Sequence, residues 1–301
     1  MNVKEAEKIV RNYYRIANPR QSDEFALIEA LEFLIANDPK SQYMLNLGGH
    51  YYEKRRFDLA EKYYLMASEY GCEEAYACLG YIYYYGRTGE RDYQKAFENY
   101  SKAMELGNII STYKVADMYK NGYYVEKDYA KYCSIIKDLY ERIKDDDDVF
   151  SSVPEVSLRL AEISMQEGND EEAERLLYNA RPYLESRLYY NPFFGDVSNM
   201  RWLISDLYRL EEFDYSNFTL YDLFHLVAEC HERFKVSFRY NRKNYELEGV
   251  YDQQSEEVNI RFMDKWYRNF ADFLMKGEID GQRITYLNRK LYGFEVMEND
   301  K

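Results

Sequence analysis

The segment AYACLGYIYYYGRTGERDYQKAFENYSKAMELG, residues 75–107, determines the fold that we predict for this chain. In its first half, Leu79, Ile82 and Tyr83 recur at the spacing of one helix face. Gly80 on the same stretch allows a second helix to approach closely. Gly86 then favours a turn, because glycine adopts left-handed dihedral angles at little cost. The first half therefore predicts a helix that ends at a glycine turn.

The second half of the segment predicts another helix. Asp92 is a suitable N-cap, since its carboxylate can accept hydrogen bonds from the first free backbone N–H groups. Ala96, Tyr100 and Ala103 form the packing stripe, and Gly107 ends the helix. A helical hairpin of this size cannot bury its apolar face alone, so we expect successive copies to stack into a solenoid.

Copies of the hairpin recur along the chain, as a stack requires. A shift of 36 residues places Ala60, Tyr64, Ala67 and Gly71 on Ala96, Tyr100, Ala103 and Gly107. A second shift of 36 places Gly86, Asp92, Tyr93 and Lys95 on Gly122, Asp128, Tyr129 and Lys131, and Gly80 on Ala116. A fainter copy at residues 155–184 repeats the spacing of residues 43–72, and residues 1–37 are interpreted as an atypical end pair.

This pattern of residues resembles a Sel1-like repeat, a relative of the tetratricopeptide repeat. The match is specific over residues 75–107, degenerate over 111–142, and closer to a plain tetratricopeptide unit over 43–72 and 155–184. The resemblance covers residues 40–185. It implies a mainly α fold, a right-handed α-α superhelical solenoid of Sel1-like/tetratricopeptide-like helix pairs, and a protein-interaction scaffold generally without catalysis.

The C-terminal segment has a different periodicity. From Phe234 the apolar residues recur every second position, in FKVSFRY (234–240), YELEGVY (245–251) and EEVNIRF (256–262). We therefore predict a helical repeat domain at residues 1–231 and a small α+β domain with an antiparallel meander at 232–301. In the intervening loop YYNPFFGD (189–196), we expect Phe193 and Phe194 to pack against neighbouring helices, and the alternative is that they form an exposed anchor.

The composition bears on partners and location. A net charge of −14 disfavours wide contact with a phosphate backbone, so no nucleic-acid partner is predicted. The 35 tyrosines are consistent with half-buried helix faces and interfaces. The N-terminal residues lack the apolar core of a signal sequence and no later run is long enough to span a bilayer, which predicts a cytoplasmic protein with no membrane partner.

No catalytic, cofactor or metal site is predicted. Gly86-Arg87-Thr88-Gly89 follows a helix rather than a strand, and it lacks the lysine followed by a hydroxyl residue that a phosphate loop carries at the start of its helix. The four cysteines form no Cys-x-x-Cys pair, and the three histidines have no metal-ligand spacing. Carboxylate pairs formed only in space are invisible in a sequence, so a hydrolase of that kind stays open while a non-enzymatic role is favoured.

The candidate partner-binding residues lie on the stripe beside the packing positions. In tetratricopeptide-like arrays the first helix of each pair lines the concave surface, which would expose Tyr52, Tyr81, Tyr84, Tyr85, Tyr113, Asp117 and Lys120. Tyrosines near carboxylates favour a peptide or protein that carries Lys or Arg. Alternatively, these tyrosines only cover one another.

Two functions follow from these patterns. The first is a bacterial-type adaptor that holds a protein or peptide on the concave face. The second is an immunity-type neutraliser of a basic toxin, which would contact the toxin through the acidic surface or the C-terminal domain.

Overall fold

The chain forms two compact units, Met1–Leu139 and Tyr140–Lys301. The structure is a computed structural model that describes residues 1–210 and 218–297. The division between the units falls inside one helix, α8 (Tyr129–Ile143).

The first unit is built from helices that pair along the chain. The helices are α1 (Val3–Tyr13), α2 (Gln21–Asn37), α3 (Ser41–Glu53), α4 (Phe57–Ser68), α5 (Glu73–Tyr85), α6 (Tyr93–Glu105), α7 (Ile109–Asn121) and the first part of α8. The pairs α1–α2, α3–α4 and α5–α6 each pack closely, and each pair contacts the next helix in the chain. The predicted fold, with its stacked repeat hairpins and the atypical N-terminal pair, is confirmed.

A tyrosine ring packed on a glycine fixes the close approach within a pair. In α5–α6, a Cβ atom added to Gly80 would lie 2.5 Å from Cδ1 of Tyr100, whose side chain is 1% exposed. In α3–α4, a Cβ atom on Gly48 would lie 2.6 Å from the Tyr64 ring. At the positions 36 residues after Gly80 and Tyr100, α7 and α8 carry Ala116 and Ile136, both fully buried. Where the first helix of a pair has alanine in place of glycine, the second helix thus has isoleucine in place of the bulkier tyrosine.

The turns within the pairs follow from local sequence. Gly86 ends α5 in the left-handed region with φ of 63°, and the Asp92 side chain caps α6 by accepting a 2.9 Å hydrogen bond from the Lys95 backbone N–H. Gly122 repeats the left-handed position with φ of 73°. In the α3–α4 turn this conformation falls on Arg55, with φ of 59°, which costs about 1 kcal/mol compared with glycine.

The helices of the second unit continue the repeat and then depart from it. They are α9 (Val153–Gln166), α10 (Asp170–Tyr190), α11 (Phe194–Leu210) and the short α12 (Leu223–Ala228). The pair α9–α10 is the fainter copy found in the sequence. Buried Arg187 on α10 forms ion pairs with Glu155 on α9 at 2.7 Å and with Asp196 on α11 at 3.1 Å. This arginine ties three helices together.

The predicted α+β segment is confirmed as a five-stranded antiparallel sheet with short helices. Its strands are β1 (Arg233–Tyr240), β2 (Lys243–Asp252), β3 (Glu257–Phe262), β4 (Lys265–Tyr267) and β7 (Tyr292–Met297), in the order β4-β3-β2-β1-β7. Between β4 and β7 lie α13 (Phe270–Lys276), the two-stranded pair β5 (Glu278–Ile279) and β6 (Gln282–Arg283), α14 (Ile284–Leu287) and a 3-10 turn (Asn288–Lys290). Buried Phe262 packs on Phe238 and Phe273, with ring centroids 5.9 Å and 5.3 Å away.

The boundary predicted at 231/232 coincides with the change from helix to strand. The contacts, however, place α9–α12 with the sheet in the second compact unit, because α10 packs against α14 and α11 packs against α13. Long-range contacts of this kind leave no periodic signal in the sequence. That residues 1–231 form one domain stays a prediction, and residues 298–301 lie outside the described residues.

The Gly80–Tyr100 packing predicts the effect of adding one methyl group. Gly80→Ala should lower the free energy of unfolding by about 2 kcal/mol, because the methyl group overlaps the tyrosine ring. The double variant Gly80→Ala/Tyr100→Ile copies the pairing of Ala116 with Ile136, so we expect a favourable coupling of about 1 kcal/mol between the two substitutions. Urea unfolding followed by circular dichroism measures both values, and strictly additive losses would contradict the packing account.

Candidate protein-binding surface

Four of the predicted binding residues come together at the C-terminal ends of α3 and α5. The rings of Tyr52 and Tyr81 lie 6.0 Å apart between centroids, and Tyr81 lies 4.4 Å from Tyr85. Tyr84 touches Tyr85 at 5.0 Å. Because Tyr52, Tyr81 and Tyr84 are half-buried and Tyr85 is 38% exposed, the four rings form an aromatic surface that water still reaches.

Arg87 lies across this aromatic surface. Its guanidinium carbon is 5.6 Å from the Tyr81 ring centroid, 5.4 Å from Tyr85 and 5.8 Å from Phe57 on α4. Its Nη2 donates to the Tyr81 hydroxyl at 3.4 Å. This bond, and then the charge interactions with Tyr52 and Tyr81, raise the pKa of Arg87 against the opposing effect of its burial. The chain therefore supplies its own cation at the place where a partner's cation was expected.

Tyr84 belongs to the packing of the first unit as well as to its surface. Its ring lies 5.5 Å from Tyr93, 6.0 Å from Tyr123 and 6.4 Å from buried Tyr100. Burial, followed by the neighbouring Tyr123, raises the pKa of the Tyr84 hydroxyl to about 12. Tyr84 thus fits, in part, the alternative to partner binding, in which the tyrosines only cover one another.

The three predicted residues on α7 lie in different environments. Tyr113 is buried at 7% exposure, and the Lys114 ammonium lies 5.5 Å from its ring centroid. Asp117 is half-buried, and its charge contributes to the raised pKa of Tyr84. The Lys120 ammonium lies 5.3 Å from the centroid of the buried Tyr132 ring. Asp117 thus lies near the aromatic surface, while Tyr113 contributes to the interior.

The sequence interpretation missed the residues that complete the surface. Arg87 and Phe57 were not among the candidates, and neither were Tyr93 and Tyr123, whose rings stack 4.6 Å apart at 6°. A signal for Arg87 was present, because the residue after a helix-ending glycine lies beside the last turn of that helix.

A cleft of about 670 Å³ lies in the second unit and contains none of the predicted residues. Its walls include Val197 and Arg201 on α11 and Phe270 on α13, and Arg268 at its rim pairs with Glu257 at 3.2 Å. Charges of both signs line it, so the cleft favours no single class of ligand.

The expectation that Phe193 and Phe194 pack against neighbouring helices is wrong. Their side chains are 66% and 68% exposed. Phe194 is the first residue of α11, and the Phe193 ring lies beside Gly195, where an added Cβ atom would be 3.0 Å from it.

The described residues offer little support for other chemistry. Within residues 1–210 and 218–297, no three His, Cys, Asp or Glu side chains are grouped so that they could hold a metal ion. Among the helices of the same residues, none has the length and apolarity needed to cross a bilayer.

Comparisons with known proteins identify the fold. No protein-family model matches the chain. The crystal structure of a Sel1 repeat protein from Oxalobacter formigenes superposes with a TM-score of 0.54 and 18% identity, over 77% of this chain and 86% of that one. The structure of c5321, a protective antigen of uropathogenic Escherichia coli with an SLR fold, gives a TM-score of 0.51 and 19% identity, over 69% of this chain and 48% of that one.

One curated relative matches a shorter region. The ERAD-associated E3 ubiquitin-protein ligase component HRD3B of Arabidopsis thaliana is 37% identical over 70 residues, which are 23% of this chain and 12% of that protein. The chain thus matches about an eighth of that relative's length. Together with the two structures, this match confirms the predicted Sel1-like repeat character at the level of the fold.

The contacts of Arg87 predict that replacing it lowers the free energy of unfolding more than replacing Arg91, which lies in the same turn. Arg87→Ala should lower the free energy of unfolding by about 1 kcal/mol, because the guanidinium leaves three ring faces. Arg91→Ala is the matched control, since among the described residues the Arg91 guanidinium donates one hydrogen bond, to the Tyr93 hydroxyl at 3.4 Å, and the change should alter stability by less than about 0.5 kcal/mol. Equal losses in urea unfolding would show that the guanidinium–ring contacts contribute nothing.

Proposed function

We propose that the protein is a non-catalytic scaffold that binds a protein or peptide at the C-terminal ends of α3, α5 and α7. The observation that carries the proposal is the aromatic surface of Tyr52, Tyr81, Tyr84 and Tyr85 in a Sel1-like fold. The proposal is supported by the repeat, because α3, α5 and α7 are the first helices of their pairs and correspond to the helices that line the concave surface in tetratricopeptide-like arrays. Rigid tyrosines are frequent energetic anchors in interfaces, because the ring packs while the hydroxyl bonds.

The predicted residues take different roles in this proposal. Tyr52, Tyr81 and Tyr85 provide the accessible rings, and Asp117 provides a carboxylate next to Tyr84. Tyr113 and Lys120 stabilise α7 instead. Tyr113 is buried, and the Lys120 ammonium lies 5.3 Å from the centroid of the buried Tyr132 ring. The relative HRD3B is named as a component of an E3 ubiquitin-protein ligase, which is consistent with a role in an assembly.

The proposed partner carries at least one basic side chain, which we place beside Asp117. A cation at this position gains a charge-assisted hydrogen bond and the face of a tyrosine ring. It does not compete with Arg87, which already covers Tyr81 and Tyr85.

An immunity-type neutraliser of a basic toxin is the second candidate. The net charge of −14 is the observation that favours it, because opposite charge accelerates and strengthens association. The two candidates differ in the surface used. A toxin bound through the sheet would lose binding when exposed Trp266 and Met263 are changed, whereas the scaffold would keep its partner.

The scaffold proposal predicts which substitutions abolish capture of a partner from a lysate of the source cells. Tyr81→Ala and Asp117→Lys should each weaken capture at least tenfold, as loss of about 2 kcal/mol at an interface anchor requires. Quantitative mass spectrometry of the captured proteins measures the effect. Tyr70→Ala is the control, because Tyr70 is a 54% exposed tyrosine in the turn between α4 and α5, at the other ends of the helices.

Two outcomes would contradict the scaffold proposal. In one, the same proteins are recovered with wild-type bait and with both variants. In the other, Tyr70→Ala reduces capture as much as Tyr81→Ala, which would show that the effect is not local to the aromatic surface.

A further inference from the structure

Five exposed arginines that form no ion pair with the described residues lie in the turns that join the two helices of successive pairs in the first unit. Arg15 is in the α1–α2 turn, Arg55 and Arg56 are in the α3–α4 turn, and Arg87 and Arg91 are in the α5–α6 turn. We name this set the arginine edge. In the described part of the chain, no carboxylate forms an ion pair with any of them, whereas Lys54 and Arg20 in the same turns pair with Glu24 and Asp23.

These turns are neighbours in space. Tyr13 at the end of α1 contacts His50 in the last turn of α3, with ring centroids 6.2 Å apart. Arg87, after α5, lies 5.8 Å from the ring of Phe57 at the start of α4. The arginines therefore share one edge of the first unit, where their positive potentials add.

At the opposite ends of these helices, the turn between α4 and α5 is negatively charged. The turn between α4 and α5, with the first residues of α5, reads EYGCEE over residues 69–74 and carries Glu69, Glu73 and Glu74 without a lysine or arginine. On the arginine edge the nearby unpaired carboxylates of the described residues are Glu53, Asp58 and Glu90, all exposed. Five unpaired positive charges thus lie beside three unpaired negative ones in a chain whose net charge is −14.

Arg87 is pre-organised for an anion. Its guanidinium is held against three ring faces and bonds to the Tyr81 hydroxyl, yet the residue is exposed and most of its five N–H donors are unused. A planar guanidinium matches a carboxylate in a bidentate geometry, and an arginine that is already fixed loses less conformational entropy on binding. An added cation here would be repelled, so the ligand of this edge is an anion.

The fold also retains Arg55 where a glycine would be easier. Its φ of 59° lies in the left-handed region, and the equivalent turns of the next two pairs use Gly86 and Gly122 there. Arg55 is exposed and directly precedes Arg56, whose guanidinium lies 5.3 Å from the Tyr51 ring centroid.

We propose that the arginine edge binds a short segment of a partner protein that is rich in Asp and Glu. The inference rests on the proposed role as a protein-binding scaffold and adds an acidic element to the partner. A nucleic acid fits the same edge less well, because a polyphosphate backbone would extend beyond five arginines onto a surface that is acidic.

The test uses a fluorescein-labelled peptide of twelve glutamates and measures fluorescence anisotropy in the presence of the full chain at about 50 mM salt, where surface charges are weakly screened. We expect saturable binding. Arg87→Gln, and separately Arg55→Gln/Arg56→Gln, should each weaken the affinity about tenfold, whereas Lys4→Gln should change it less than twofold. Lys4→Gln removes one positive charge, as Arg87→Gln does. Lys4 is an exposed residue at the start of α1, at the ends of the helices opposite to the arginine edge.

Three results would overturn the inference: no binding of the glutamate peptide, equal loss of affinity in Lys4→Gln, or tighter binding of a twelve-nucleotide oligothymidylate at the same salt. Circular dichroism spectra of the variants that match the wild type exclude unfolding as the cause of a loss. If the peptide fails to bind while lysate capture still depends on Tyr81 and Asp117, only the acidic-partner inference fails and the scaffold proposal stands.

Discussion

The first unit depends on the contact between a tyrosine ring and a helix position that has no side chain. Tyr100 lies on Gly80 and Tyr64 lies on Gly48, so closely that a single Cβ atom would overlap the ring. This contact sets the distance between the two helices of a pair. The tyrosine ring of one helix occupies the space that a side chain at the glycine position of the other helix would fill. Every later pair must stack on a surface whose position this distance determines.

The aromatic surface is a consequence of that packing. Tyr83 and Tyr100 are buried, and Tyr84 packs on Tyr93 and Tyr100 of α6, whereas Tyr81 and Tyr85 stay partly accessible and meet residues of the adjacent turns. Tyr81 and Tyr85 then lie where Arg87 can cross them directly after the glycine that ends the helix. The same repeat that builds the core therefore places rings and a guanidinium on one surface.

The surface combines two kinds of recognition. The partly exposed tyrosine rings can bind a partner through complementary shape and hydrophobic contact. The fixed guanidinium adds directional hydrogen bonds and a preference for carboxylates. Asp117 adds the opposite charge on the next helix. We therefore expect a partner that presents charges of both signs in a defined order, with the acidic ones toward the arginine edge.

Sequence patterns predicted the features that depend on local residues. The close approach at Gly80, the cap at Asp92 and the strands from Phe234 onward each follow from periodicity or backbone preference, and the structure has them. The burial of Tyr113 and the placement of Arg87 could not be predicted, because they depend on which residues of other helices lie beside them. The same holds for the division at 139/140, which follows from contacts of α10 and α11 with elements about a hundred residues later.

Hydrogen–deuterium exchange of the protein with and without a captured partner tests most directly whether this surface is the binding site. The account predicts slower exchange of backbone amides in the last turns of α3 and α5 and in the turns that follow them, residues 50–57 and 81–93. It predicts unchanged exchange in the turn at residues 69–74. Protection confined to the strands between residues 233 and 267 would contradict it and place the partner on the sheet.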